Sequence, residues 1–408
     1  MLNWARQFSI FCFLDNRNYQ SAFHEYECLL AAGSIKELER NAGSAFGDLK
    51  EFSASNKDWL FGHFAYDLKN ETEKLFSRNP DPIGFPDLYF FIPEILIELN
   101  HAGIKIGVAG HNHQQILDHI LAQPDTMSSK KSLPDIKERI SHKDYLKTIE
   151  KIREHILYGD CYELNFCQEF YAENCDIDPF CTYSMLGLHS PMPFSAFYRH
   201  QGRYLLCASP ERYLKKKGNL LLSQPIKGTA SRIPAHARLD EEEKQRLYKS
   251  KKDRSENIMI VDLVRNDLSR ICVEGSVQVE ELCGIYSFPQ VHQMISTISG
   301  TLPDEVSWTE AIRVSFPMGS MTGAPKKRAM ELIEAYEKSR RGIFSGALGY
   351  CTPEKDFDFN VVIRSILYNE SSQYLSYQAG SAITFNSDAE KEYEECLLKA
   401  SAIKKTLQ

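Results

Sequence analysis

No run of about 18 apolar residues, the length a membrane-spanning helix needs, occurs anywhere in the chain, so the sequence offers no candidate transmembrane segment. Surplus positive charge is also missing. The formal net charge is −7, which argues against a nucleic-acid partner, because phosphate backbones demand an excess of Lys and Arg on one face. A small anionic substrate stays open, since local charge can oppose the total. Eleven cysteines are scattered without a CxxC spacing, Cys161 and Cys167 being among the nearest pairs; zinc and dithiol chemistry are therefore not expected, and buried reduced thiols are. The N-terminal segment MLNWARQFSIFCFLDNRNY lacks both a long apolar stretch and a small-residue cleavage site, which predicts a cytoplasmic protein. Internal repeats and low-complexity tracts are absent too.

What is present is a chain of 408 residues, 43% hydrophobic, large enough for one big globule or two intimate domains. The segment AQPDTMSSKKSLPD (122–135), rich in Pro, Ser, Asp and Lys, reads as a linker between an N-terminal region (1–122) and a second region (136–408). The first mixes strand-like runs such as FCFL (11–14) and WLFGHFAY (59–66) with a polar helical stretch around Ser34 to Arg40. In the second, the pattern predicts a helix over 143–158, a strand over 161–171, paired strands over 202–214 and 219–226, and one long helix from Asp240 to about Leu268. A strand near Val277, a helix over 325–339, strands over 346–350 and 361–368 and a last helix from Asp388 follow. The mixture predicts an α+β fold of antiparallel hairpins with flanking helices.

Several segments carry residues with chemistry. Lys227, in QPIKGT (224–229), stands where a strand gives way to a turn; a lysine desolvated there has its pKa lowered, and only the neutral amine attacks carbon. Glu211, in SPERYL (209–214), falls at the opposite end of the same expected hairpin, where burial would keep its proton and make it a general acid; a surface pair with Arg212 is the plain alternative. Asp253 and Glu256 share one face of the helix in KDRSENIMIVDLVRNDL (252–268), with Ile258, Ile260, Val261 and Leu263 as buried surface. Ser387 and Glu390 form a capping box for the last helix, which carries Glu392 and Glu395 on one face. Two acidic pairs on separate helices suit a hard cation such as Mg²⁺, and each alone is equally a solvated face. GSMTGAPKKRAMELIEAY (319–336) is not a Walker motif; its glycine-rich entry to a helix either holds a carboxylate or is an ordinary helix start. Arg364 is a cation within the apolar run FNVVIRSIL, Tyr350 ends the strand GALGY, and Gly380 in QAGSAITF leaves backbone amides open to close approach. His292, in VHQMIS, is either a donor or a core histidine.

Taken together, SPERYL, PIKGT, KDRSENIMIVDLVRNDLSR, VHQMIST, FPMGSMTGAPKKRAMELI, the Arg364 strand and EKEYEECLLKA resemble the chorismate-using enzymes in order and spacing. That family includes anthranilate, aminodeoxychorismate, isochorismate and salicylate synthases. The resemblance implies antiparallel sheets packed as a sandwich with helices outside. Anthranilate synthases typically read PIAGT, and the aminodeoxychorismate synthases that use covalent catalysis read PIKGT, as here. Water-adding members carry a lysine where this chain has Glu163. Carried over residue by residue, the resemblance implies Mg²⁺ held by Glu256, Glu392 and Glu395 with Asp253 close by. The enolpyruvyl carboxylate of chorismate would meet Tyr350, Arg364 and amides near Gly380 and Ser381. Lys227 becomes the nucleophile at C2, Glu211 the acid at the C4 hydroxyl, and Thr322 and His292 supporting hydrogen-bonders. Ammonia would come from a partner glutamine amidotransferase subunit, since no glutaminase segment with its nucleophilic cysteine is recognisable. The alternatives are an anthranilate or isochorismate synthase, or a non-catalytic relative that binds chorismate or the amidotransferase alone.

Overall fold

The computed structural model describes residues 1–19, 23–110, 112–124 and 133–408, so residues 125–132 of the expected linker lie outside the described residues. Two antiparallel sheets, of 11 and 10 strands among the described residues, form the body of the molecule. Their packing follows from two-residue periodicity. Along Ile10–Asp15, Ile10 and Cys12 enter the core between the sheets while Phe11 and Phe13 face the layer beneath the outer helices. Leu205 and Cys207 repeat that division against Tyr204, Leu206 and Ala208. The layer under the first sheet is closed by the helices Pro179–His189 and Ala389–Leu407, which supply Phe180, Tyr183, Leu186, Cys396, Ala400 and Ile403. The α+β sandwich with helices outside is therefore observed.

N-terminal strands enter both sheets. Ile10–Asp15 pairs with Phe194–His200 in the first, and Leu60–Phe64 pairs with Ala347–Cys351 in the second. All eleven cysteines are free, ten of them buried.

Four local expectations need correction. The stretch around Ser34 to Arg40 is a strand, Lys36–Arg40, paired with Leu88–Ile92; one buried side chain, Leu38, anchors an edge whose other side chains are exposed. The long helix is two, Ala237–Lys249 and Lys251–Ser269, because the extended Ser250 ends the first and caps the second through its side chain and the Asp253 amide. Within the second, Ile260 and Val261 are buried but Ile258 faces solvent. The last helix is capped by Asp388, which accepts from the Lys391 amide, and Ser387 instead accepts from the Thr384 amide. Finally, the Val361–Tyr368 run is interrupted between Phe357–Val361 and Ser365–Asn369, and Arg364 sits in the gap with φ +50°.

Candidate active site

That gap and the Pro210–Glu211 step share one structural role. Arg203–Ser209 belongs to the first sheet and Arg212–Lys217 to the second; likewise Phe357–Val361 belongs to the second and Ser365–Asn369 to the first. The chain thus crosses between sheets at Glu211 and again at Arg364, and the crossings are tied by the Val361 amide donating to the Glu211 carbonyl and the Ala208 amide to the Arg364 carbonyl. Strands that change sheets open a corner in a sandwich. Here the corner is a cavity of about 540 Å³ lined by both residues, by Lys227, Asp253, Glu256, Phe344, Gly380 and by Glu395 of the last helix.

Lys227 reaches the cavity from a bulge. The Ile226–Ser231 strand shifts register between Ile226 and Thr229 against Val291–Thr301, which releases Lys227 and Gly228 from regular pairing. Gly228 has φ +87°, and a Cβ there would come within 2.9 Å of the Asp253 side chain, so the glycine of PIKGT is required by both backbone and space. The Lys227 ammonium lies 3.1 Å from Glu163 Oε1, and the side chains are 10% and 2% exposed. Burial opposes its charge, but Glu163, then Glu256 and Glu211, outweigh burial and hold its pKa above the ordinary value. The lowering expected from desolvation is therefore reversed in the free protein: Lys227 rests as an ammonium.

Glu211 is buried, and its partner is not Arg212, which grips Asp358 at 2.9 and 3.0 Å. Burial pushes its carboxyl up to about 7, while Ser320, Lys227, the Ile226 amide and Arg364 pull the other way. Arg364 is likewise pushed down to about 10 by burial, with Glu211 only partly offsetting that. Gly380 forms part of the wall where the strands Tyr374–Thr384 and Glu163–Ala172 press together; a Cβ at this position would lie 1.9 Å from the Phe166 carbonyl oxygen.

Four candidates stand away from this cavity. Tyr350 lines a separate pocket of about 60 Å³ with His24, Glu25 and Tyr26, its ring packed against Tyr26 and Trp59. His292 is a core histidine with Nε2 3.2 Å from Asp240 and Nδ1 2.8 Å from Ser287. The Thr322 hydroxyl is fully buried and donates to the Met318 and Gly319 carbonyls. Ser381 is buried and interacts with Tyr145. The glycine-rich entry to Lys326–Tyr336 does not present its helix end to the cavity either; Lys326 there pairs with Asp267 at 2.6 Å, and only Ser320 and Met321 of that segment reach the wall.

The acidic candidates do gather. Asp253 and Glu256 line the cavity together with Glu395, and Glu392 is buried beside them. Lysines already stand against the three glutamates: Lys252 lies 3.1 Å from Glu392 and 3.8 Å from Glu256, and Lys399 lies 2.8 Å from Glu395. No three His, Cys, Asp or Glu side chains among the described residues converge as they stand on a single point. Glu256 Oε1 and Glu392 Oε2 are nonetheless buried without a hydrogen-bond partner, and an all-carboxylate donor set is the chemistry a hard dication takes. The residues present fit Mg²⁺.

The sequence marked Glu163 only as a position that sorts the family's reactions and gave no site role to Phe344 or Ser320. Glu163 is the ion-pair partner of Lys227, while Phe344 and Ser320 line the wall. Each comes from a different element, and no short spacing joins them to PIKGT.

The family profile described as chorismate binding enzyme matches residues 10–405, and the chain belongs to that family. It is 33% identical over 355 residues to aminodeoxychorismate synthase component 1 of Escherichia coli strain K12, covering 85% of this chain and 76% of that protein. It is 34% identical over 403 residues to the chloroplastic aminodeoxychorismate synthase of Arabidopsis thaliana, covering 91% of this chain and 43% of the longer relative. Among solved structures, anthranilate synthase component I from Streptococcus pneumoniae TIGR4 superposes with a TM-score of 0.83 at 25% identity, covering 95% of this chain and 93% of that one. The menaquinone-specific isochorismate synthase of Escherichia coli shares the fold, with a TM-score of 0.79 at 15% identity, covering 100% of this chain and 91% of the other.

Proposed function

We propose that this chain is the synthase component of an aminodeoxychorismate synthase, aminating chorismate at C4 to give 4-amino-4-deoxychorismate through a covalent Lys227 intermediate. The observation that carries the reading is one cavity that brings together a buried lysine, a carboxyl raised to about 7 and a buried arginine. The similarity to the component 1 protein of Escherichia coli supports it.

A dianionic substrate needs positive charge at two places, and Arg364 supplies one of them by gripping the enolpyruvyl carboxylate beside Gly380. Glu256, Glu392 and Glu395, with Asp253 near, would hold Mg²⁺, which when bound supplies charge stabilisation for the ring carboxylate. Lys227 must shed a proton before it acts, and Glu163, at 3.1 Å, is its nearest acceptor. The freed Nζ then bonds to C2, the two ring double bonds shift from C1=C2 and C5=C6 to C1=C6 and C4=C5, and the C4–O bond breaks as Glu211 delivers a proton so that water departs. Ammonia next bonds to C4, both double bonds return to C1=C2 and C5=C6, the C2–N bond to Lys227 breaks to restore the lysine, and the proton lost from the incoming nitrogen returns to the Glu211 carboxylate. A glutamine amidotransferase subunit is the proposed ammonia source, and the cytoplasm the proposed compartment.

Incubation with chorismate, Mg²⁺ and ammonium, followed by chromatography and mass spectrometry of the product, tests the assignment. The aminated, pyruvyl-bearing product is expected. Fluorescent anthranilate formed without any added lyase would overturn it.

A further inference from the structure

We propose that Lys252 is a built-in counter-ion: its ammonium stands in for the divalent cation in the free protein and must swing out of the acidic cluster when the metal enters. The idea rests on the reading of Glu256, Glu392 and Glu395 as the metal ligands, and goes beyond it by giving a task to a residue outside that set.

The geometry around Lys252 is that of a substitute ligand centre. Its Nζ lies between carboxylates of two different helices, 3.1 Å from Glu392 Oε1 and 3.8 Å from Glu256 Oε1. Those glutamates are themselves nearly withdrawn from solvent, at 1% and 10% side-chain exposure, whereas Lys252 is 46% exposed. Buried carboxylates left uncompensated repel one another strongly, so a cation must stay near them when no metal does. Lys252 sits at the start of its helix, with a flexible four-carbon stem whose half-exposed position opens directly to water. An ammonium has three donors and a single charge, and it leaves Glu256 Oε1 and Glu392 Oε2 without a hydrogen-bond partner. A dication between the same carboxylates would occupy both. Glu395, the third proposed ligand, has its own lysine in Lys399, which also donates to the Gly380 carbonyl at 3.0 Å. Together Lys252 and Lys399 bring two positive charges to the three carboxylates, the same charge as one Mg²⁺.

Metal entry is then a cation exchange, and it has a cost that a vacant carboxylate site would not have. Lys252→Met removes the competitor and leaves the ligands in place. Mn²⁺ binding to the chelator-treated full chain, without chorismate, followed by the electron paramagnetic resonance signal of free Mn²⁺, reads this directly. At the observed separation a unit charge interacts strongly enough that at least about tenfold tighter binding is expected for Lys252→Met. Lys252→Arg keeps the charge and should stay within about threefold of the parent protein, well inside the tenfold response that a lost unit charge predicts. Unchanged or weaker binding in Lys252→Met, or equal tightening in Lys252→Arg, overturns the counter-ion role. Glu392→Gln separates the two levels. If it weakens Mn²⁺ binding while Lys252→Met does nothing, the metal site stands and only the counter-ion fails; if it leaves binding unchanged, the ligand assignment fails and the counter-ion with it.

Discussion

Lys227 and Glu211 face one cavity with protonation states set by opposite means. Glu163 keeps the lysine charged, and burial keeps the carboxyl protonated. For Glu211 the sign is definite: a group whose pKa rises from 4.5 to about 7 is an acid below that value and a spent carboxylate above it. Amination is therefore expected to decline as pH rises through about 7 in kcat/KM profiles. Glu211→Gln should lose that limb together with about 10²- to 10⁴-fold in rate, the usual share of general acid catalysis. The same shift acts on folding. The folded form holds the proton more tightly than the unfolded chain does, so this group's contribution to stability falls as pH climbs from 4.5 to about 7. A kcat/KM that stays flat as pH rises through about 7 would remove Glu211 from the acid role.

At the scale of elements, the site depends on interruptions of regular structure. A register shift aims Lys227, two sheet crossings place Glu211 and Arg364, and Ser250 splits a helix so that Asp253 and Glu256 start a new one. Removing that cap by Ser250→Ala should cost about 1 kcal/mol of stability in a denaturant titration. A larger loss would mean that Ser250 supports more than its helix. These interruptions also mark what the sequence showed and what it hid. The strand-like apolar run FCFL and the helix over 325–339 were legible because short apolar runs and helical spacing are read within a few neighbouring residues. The break at Arg364 was not, since FNVVIRSIL reads as one continuous strand and only tertiary packing decides where it changes sheets. Tyr350 illustrates a related limit of local patterns: its position near a strand end was visible, but not that it lines a pocket apart from the one that holds Lys227. Glu163 pairs with Lys227 across the fold, and no local pattern records such a contact.

At the scale of the whole molecule, the division of the sequence near residue 122 does not divide the sheets. A fragment of residues 136–408 would leave Phe194–His200 without Ile10–Asp15 and Ala347–Cys351 without Leu60–Phe64, baring two strand edges and a wide apolar surface. Such a fragment is expected to aggregate and to show no sharp thermal transition by circular dichroism. A folded, monomeric fragment would contradict the shared core.

The reaction proposed for the assembled molecule turns on one bond, between Lys227 Nζ and the ring of its substrate. Intact-protein and peptide mass spectrometry after rapid quenching with chorismate, in the absence of ammonia, looks for that bond directly. The expected result is an adduct of chorismate less one water on the peptide containing Lys227, absent from Lys227→Ala, whose amination should fall by at least about 10²-fold. A fully active protein that forms no adduct, or a Lys227→Ala variant that aminates chorismate at the parent rate, would contradict the covalent route.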